Sequence, residues 1–333
     1  DGEEIVVRAR AVVNAAGVWA DDVRALDEGA HPASIRPAKG IHITVPWSKV
    51  RNDIAAIVPV RDDRRSVFVV PWGDTTYIGT TDTDYDGPVD DPQCTREDVD
   101  YLLGAMKFTG ITTADVTGTW AGLRPLVKSA ASGRTADLSR KHRVHASDSG
   151  VVTITGGKLT TYREMSADTV DAIHHFLGDR VSGVARRSRT KDLRLRGAEG
   201  YEAARAGDAT AVHLADRYGG EARTVLALTE QDPSLAAPLV AGLPYLRAEA
   251  VYAARHEMAR TVDDVLSRRT RARLLARDAS AAAADDVAAL IAPELQLTAS
   301  EQADQAKAYR AAVAHERTSA NLPETALDAS LGA

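Results

Sequence analysis

The stretch ITGGKLTTYREMSADTV, residues 154–170, carries an apolar strand into two glycines, a lysine and then a helical pattern. A helix start presents free backbone N–H groups with partial positive charge, and these attract anions. Gly156 and Gly157 let the main chain turn sharply and approach a ligand with no Cβ in the way. A nucleotide P-loop is excluded, because Val152 stands where its first glycine belongs and Leu159 replaces the Ser or Thr after Lys158. The junction suits a flat or anionic group that gains electrons or negative charge. An ordinary tight strand-to-helix turn accounts for the same stretch equally well.

Other residues could serve chemistry. VVNAAGVWADDV, residues 12–23, sets Asn14, Ala15, Ala16 and Gly17 at the carboxyl end of an apolar strand. Doubly wound folds bind ligands at that edge, and small residues are also common at any strand–helix crossing. In GIHITVP the period of two puts His42 and Thr44 on one face and Ile41, Ile43 and Val45 on the other. A histidine on a wet face can act as a general base, although a plain polar-face role is commoner. Arg124 stands before Pro125, which holds it extended, and Arg140 lies in LSRKH. Two such arginines can grip one phosphate or carboxylate through forked hydrogen bonds; with 41 Lys and Arg in the chain, surface charge is the bland alternative. FVVPWGDTTYIGTTD reads as a hairpin turning at Gly73-Asp74, its second strand ending in a polar cluster, Gly79 to Asp82.

Several chemistries are ruled down. HEMAR, residues 256–260, has Arg260 where a zinc-binding helix needs its second histidine, and no G-x-S-x-G occurs. The single cysteine, Cys94, excludes an internal disulfide and any multi-cysteine metal site. A net charge of −6 gives no general affinity for nucleic acid. No apolar run reaches the ~20 residues that span a bilayer, and a reducing, cytoplasmic setting is expected.

The elements that must position these residues fall in two parts. Residues 4–16 read as a strand passing into a buried interior. From Ile35 to about His145 short β-rich segments alternate with Pro, Gly and Asp clusters, interrupted by a helix near TREDVDYLLGAMK with Thr95 as N-cap. Residues 151–155 return as a buried strand that feeds the glycine turn. Residues 199–318 carry helical spacing, including LSRRTRARLLAR, whose basic residues read as a solvated helix face. A disordered tail is expected from 319 to 333.

Taken together, VVNAAGVWADDV, PAKGIHITVP, FVVPWGDTTYIGTTDTDYDGPVDDP, WAGLRPLV, the segment from LSRKH to SADTVD, and HEMARTVDDVLSRRTRARLLARD resemble the FAD-dependent glycerol-3-phosphate dehydrogenases. These belong to the D-amino-acid-oxidase-like flavoproteins, and the likeness runs in order from about residue 5 to 310. It implies a mixed α/β and α+β fold. An incomplete FAD-binding domain (1–30 and 149–180) would flank a mainly antiparallel β substrate domain (31–148). A linker (181–198) would lead to an all-helical C-terminal domain (199–318). The resemblance makes Asn14, Ala15, Ala16, Gly17, Gly156, Gly157, Lys158, Leu159 and Thr160 neighbours of FAD. It makes Arg124, Arg140 and His42 substrate contacts for glycerol 3-phosphate, with His42, Arg124 and Lys158 catalytic. Hydride would pass from C2 to the flavin, yielding dihydroxyacetone phosphate, and electrons would leave to a quinone or another acceptor. Relatives of this kind often sit peripherally on the cytoplasmic face of the membrane, so such a contact is left open here, as is a homo-oligomer; no metal is implied.

One departure stands out. The family opens with a strand–G-x-G-x-x-G–helix unit that grips the pyrophosphate, and no G-x-G-x-x-G occurs in these 333 residues. The stretch is therefore expected to hold FAD weakly by itself, with activity belonging to a longer parent. The competing expectations are a non-catalytic interaction module and a sister FAD-dependent amine oxidase.

Overall fold

A computed structural model describes residues 4–60, 65–128, 141–178 and 188–325. Arg140 and the final eight residues lie outside that set. In chain order the strands are β1 (Val12–Asn14), β2 (Ile35–Pro46), β3 (Ala56–Pro59), β4 (Ser66–Trp72), β5 (Thr75–Gly79), β6 (Thr83–Asp84), β7 (Gly118–Val127), β8 (Arg143–Ala146) and β9 (Val151–Thr155). The helices are α1 (Ala20–Glu28), α2 (Trp47–Val50), α3 (Arg96–Ala105), α4 (Tyr162–Leu177), α5 (Tyr201–Arg205), α6 (Ala209–Tyr218), α7 (Ala222–Gln231), α8 (Arg247–His256), α9 (Ala272–Leu275), α10 (Arg277–Ala282), α11 (Ala284–Leu295) and α12 (Ala299–Ser319).

The chain divides into two compact units. The first comprises Asp1–Gly40, Asp82–Pro92 and Gly122–Leu193; the second comprises Ile41–Thr81, Gln93–Ala121 and Arg194–Ala333. In the first, β9 is the central strand, parallel to β1 and antiparallel to β8. The strand expected over residues 4–16 forms only at Val12–Asn14, where β9 offers it a ladder; Ile5, Val6 and Val7 remain 78, 82 and 79 % exposed. The parallel pairing places Asn14 opposite Thr153 and brings both strand ends to one edge.

The second unit holds the antiparallel ladder β3–β4–β5 and the later half of β2. Ile41, Ile43 and Val45 are fully buried with Val67, Val69 and Ile78, as the period of two predicts. Thr44 departs from expectation. Its face is not wet: Thr44 is fully buried and its hydroxyl reaches the carbonyls of Gly118 at 3.1 Å and Leu274 at 2.5 Å. Helix α3 lies over this core, with Val99, Leu102 and Met106 buried. Its start is the expected Thr95 cap, closed into a capping box in which Asp98 Oδ2 accepts from Thr95 N at 3.0 Å.

The helical residues do not stand apart from these strands. Glu316 of α12 accepts from Thr119 N and Oγ1, both at 2.9 Å, and receives Arg273 Nε at 2.7 Å. Ala320 and Leu322 then pack with Val99 and Leu102 in the strand core. The tail expected to be disordered from 319 is thus ordered as far as 325, because Leu322 gains more by burial than it loses in chain freedom. Among the described residues no helix is long and apolar enough to cross a membrane.

Candidate flavin and substrate site

Within the first unit, Asn14 is buried and its amide is fully employed. Nδ2 donates to Ala20 O at 2.8 Å and to Thr153 Oγ1 at 3.3 Å, while Oδ1 accepts from Ala16 N at 3.2 Å. Asn14 therefore ties the turn after β1 to the start of α1 and to β9, beside an exposed Ala15 and half-buried Ala16 and Gly17. Gly17 has φ +62° and open space where a Cβ would be.

The glycine turn after β9 is more constrained. Gly156 and Gly157 are both left-handed, with φ +74° and +77°. A Cβ on Gly156 would lie 2.7 Å from the Lys141 carbonyl oxygen, and one on Gly157 would collide with Met165 Sδ. The main chain then enters a 3-10 turn, Leu159–Thr161, that leads straight into α4. No side chain caps either element, so the helix mouth keeps N–H groups for a ligand. Lys158 and Thr160 are exposed, and Leu159 is 88 % and Tyr162 57 % exposed. An apolar shelf beside uncapped amides and a Cβ-free turn fits the pyrimidine edge and ring face of a flavin. His142 was not singled out by the sequence. It lies against this turn, its Cβ 3.2 Å from where a Gly157 Cβ would sit, and its Nε2 is 2.7 Å from Asp168 Oδ2 of α4.

Arg124, on β7 in the same unit, directs Nη1 to Asp82 Oδ1 at 3.3 Å, and the arginine side chain is 28 % exposed. The carboxylate fixes the guanidinium while leaving part of it accessible. Asp82 closes the polar cluster that follows β5, so the hairpin's end has a definite task. Arg140, the second arginine expected at the substrate, falls outside the described residues.

His42 belongs to the second unit, at the partly open face of β2. Its ring stacks on Trp120 at 4.6 Å with the planes 6° apart, and Tyr77 meets it edge-on at 6.0 Å. Gly79 is its partner across the β2–β5 ladder; a Cβ there would strike the imidazole and sit 2.7 Å from Ile41 O. Glycine is required at 79 so that the histidine can lie flat. Trp120 carried no signal in the sequence, since nothing local relates it to residue 42.

A left-handed glycine turn that opens an uncapped helix at the end of a sheet strand is compatible with a flavin-dependent oxidoreductase. Residues 1–163 match the family described as FAD dependent oxidoreductase, and 188–302 match the C-terminal domain of alpha-glycerophosphate oxidase. Glycerol-3-phosphate dehydrogenase 2 of Mycobacterium bovis is 38% identical over 338 residues, covering 97% of this chain and 57% of the relative. The mitochondrial glycerol-3-phosphate dehydrogenase of Mus musculus is 34% identical, covering 88% and 42%. The solved glycerol-3-phosphate dehydrogenase from Bacillus halodurans complexed with FAD superposes with a TM-score of 0.75 at 30% identity, covering 92% of this chain and 62% of that one. The chain belongs to the FAD-dependent glycerol-3-phosphate dehydrogenases of the D-amino-acid-oxidase-like superfamily. It spans a little over half the length of the mycobacterial relative.

Proposed function

We propose that the protein carrying this sequence oxidises sn-glycerol 3-phosphate to dihydroxyacetone phosphate with FAD. The observation that carries the reading is the Gly156–Gly157 turn: two left-handed glycines, neither with room for a Cβ, opening onto an uncapped helix start. Bound FAD supplies the two-electron acceptor, to be reoxidised by a quinone or another oxidant reached from the cytoplasmic membrane face. The chain's own residues do the rest. Arg124, held by Asp82, and Arg140 grip the phosphate through forked hydrogen bonds, and Lys158 adds a further cation at the turn. His42, flat against Trp120, takes the proton of the C2 hydroxyl, which raises electron density at the carbon that must give up hydride. Backbone amides of Leu159 and Thr160 stabilise negative charge at the helix mouth, and Ala15 to Gly17 line the cofactor's dinucleotide part.

Arg124 and Arg140 favour a phosphate over the carboxylate of an amine substrate, for which one fork suffices. Steady-state assays of the full-length protein with a dye acceptor test this. Turnover of sn-glycerol 3-phosphate is expected, with no turnover of sarcosine or D-amino acids, and Arg124→Ala should raise KM roughly tenfold or more. Turnover of the amines instead, or an unchanged KM in the variant, would defeat the reading.

A further inference from the structure

Within the second unit a cavity of about 750 Å³ opens between the β4–β5 turn and the helical residues. None of its lining residues belongs to the flavin or substrate set proposed above. The size falls in the range of small-molecule sites. Trp72, Leu243, Pro244, Tyr245 and Leu275 give it apolar walls, and four arginines face it.

Three of those arginines are already engaged. Arg217 donates Nε to Glu249 at 3.0 Å and a further N–H to the Arg269 carbonyl, with its guanidinium 4.8 Å from the Tyr245 ring centre. Arg268 pairs with Asp263 and Asp264. Arg269 binds the Glu257 carbonyl at 3.0 Å through Nε. Arg271 differs: among the described residues it has no carboxylate or carbonyl partner, and its guanidinium lies 5.7 Å from the Trp72 ring centre.

The backbone that presents Arg271 is unusual. Asp264–Arg269 is a π-helical turn, a rare form that is frequent at functional sites. Arg271 itself sits at φ +60°, a left-handed conformation that is unfavourable for a non-glycine residue. Thus the LSRRTRARLLAR stretch, expected to be a continuous solvated helix, is broken so that one arginine faces an aromatic ring. Such strain held on a cavity wall points to a ligand. Of the lining carboxylates, Asp216 is taken by Arg205 at 2.9 Å, and burial pushes the Glu257 carboxyl above its usual range. Glu257 also lies 3.9 Å from Arg269, so Arg271 is the lining arginine left without a carboxylate partner among the described residues.

We infer that this cavity is a second ligand site, taking a small planar molecule that bears a phosphate or carboxylate. The ring packs on Trp72 and the anion takes Arg271. Isothermal titration of the full-length, FAD-loaded protein tests it with AMP and 4-hydroxybenzoate, using adenosine and inorganic phosphate as the separate halves. At least one of the two planar anions should saturate, at least tenfold tighter than adenosine or phosphate. Arg271→Gly, which removes the guanidinium and suits the left-handed backbone, should weaken that binding at least tenfold. It should leave the melting temperature equal or higher and the KM for glycerol 3-phosphate unchanged. Trp72→Phe should retain part of the affinity. Failure of both probes to bind below about 10 mM, a weaker affinity than the millimolar range of even poor ligands, would overturn the assignment. So would phosphate binding as tightly as AMP, or binding indifferent to Arg271→Gly.

Discussion

Gly156→Ala tests the turn more severely than any other single change, and Gly17→Ala is its internal control. Both glycines have positive φ, +74° and +62°, so alanine at either place bears a left-handed penalty of about 1–2 kcal/mol. They differ in what the new methyl meets. At residue 17 nothing lies within 4 Å, whereas at residue 156 the Lys141 carbonyl oxygen is 2.7 Å away and is part of the backbone. A main chain cannot step aside as a side-chain tip can, so overpacking should add about 1–3 kcal/mol. At roughly 2–4 °C of melting temperature per kcal/mol, Gly156→Ala should melt at least about 2 °C below Gly17→Ala in the full-length protein. The displaced turn should also lose flavin, seen as a lower ratio of flavin to protein absorbance. Equal melting temperatures for the two variants would show that close approach to Lys141 does not constrain the turn. A fall in stability with full flavin content would detach the turn from the cofactor.

Three further outcomes follow from contacts elsewhere. Trp120→Ala removes the stack that holds His42, worth about 0.5–1.5 kcal/mol, so kcat for glycerol 3-phosphate should fall up to about tenfold while Trp120→Phe keeps most of it. Glu249 is fully buried; burial raises its carboxyl, but His213 at 2.8 Å and Arg217 at 3.0 Å outweigh that and hold it below the ordinary range. A depressed carboxyl contributes stability above its unfolded pKa, about 4.3, and that stability is lost as pH falls through the lower folded value. Glu249→Ala should therefore cost about 3–5 kcal/mol at neutral pH, and Glu249→Gln should show a shallower loss of melting temperature on acidification below about pH 4. Leu322→Ala should destabilise the protein by about 2–5 kcal/mol in thermal melts, and no change would mean that the segment after α12 is not docked.

Much of this was legible in the order of the residues. The period of two in IHITV sorted Ile41, Ile43 and Val45 into the core, because a pleated strand alternates its side chains by covalent geometry. Thr95 with Asp98 marked a helix start, since that cap closes over three residues. The paired glycines announced a turn of unusual conformation, and their resemblance to the flavin family was strong enough to carry the cofactor with it. All of these rest on interactions among near neighbours in the chain.

The rest was decided by residues that meet only after folding. Trp120 is unrelated to His42 in sequence, and only the pairing of strands lays one ring on the other. Thr44 looked like half of a wet face until Leu274, far along the chain, closed over it. Helical spacing in LSRRTRARLLAR gave no warning of a π turn or of a left-handed Arg271. A long-range contact can override local preference because burying a side chain or satisfying a buried hydroxyl outweighs the few tenths of a kcal/mol by which propensity favours a regular helix.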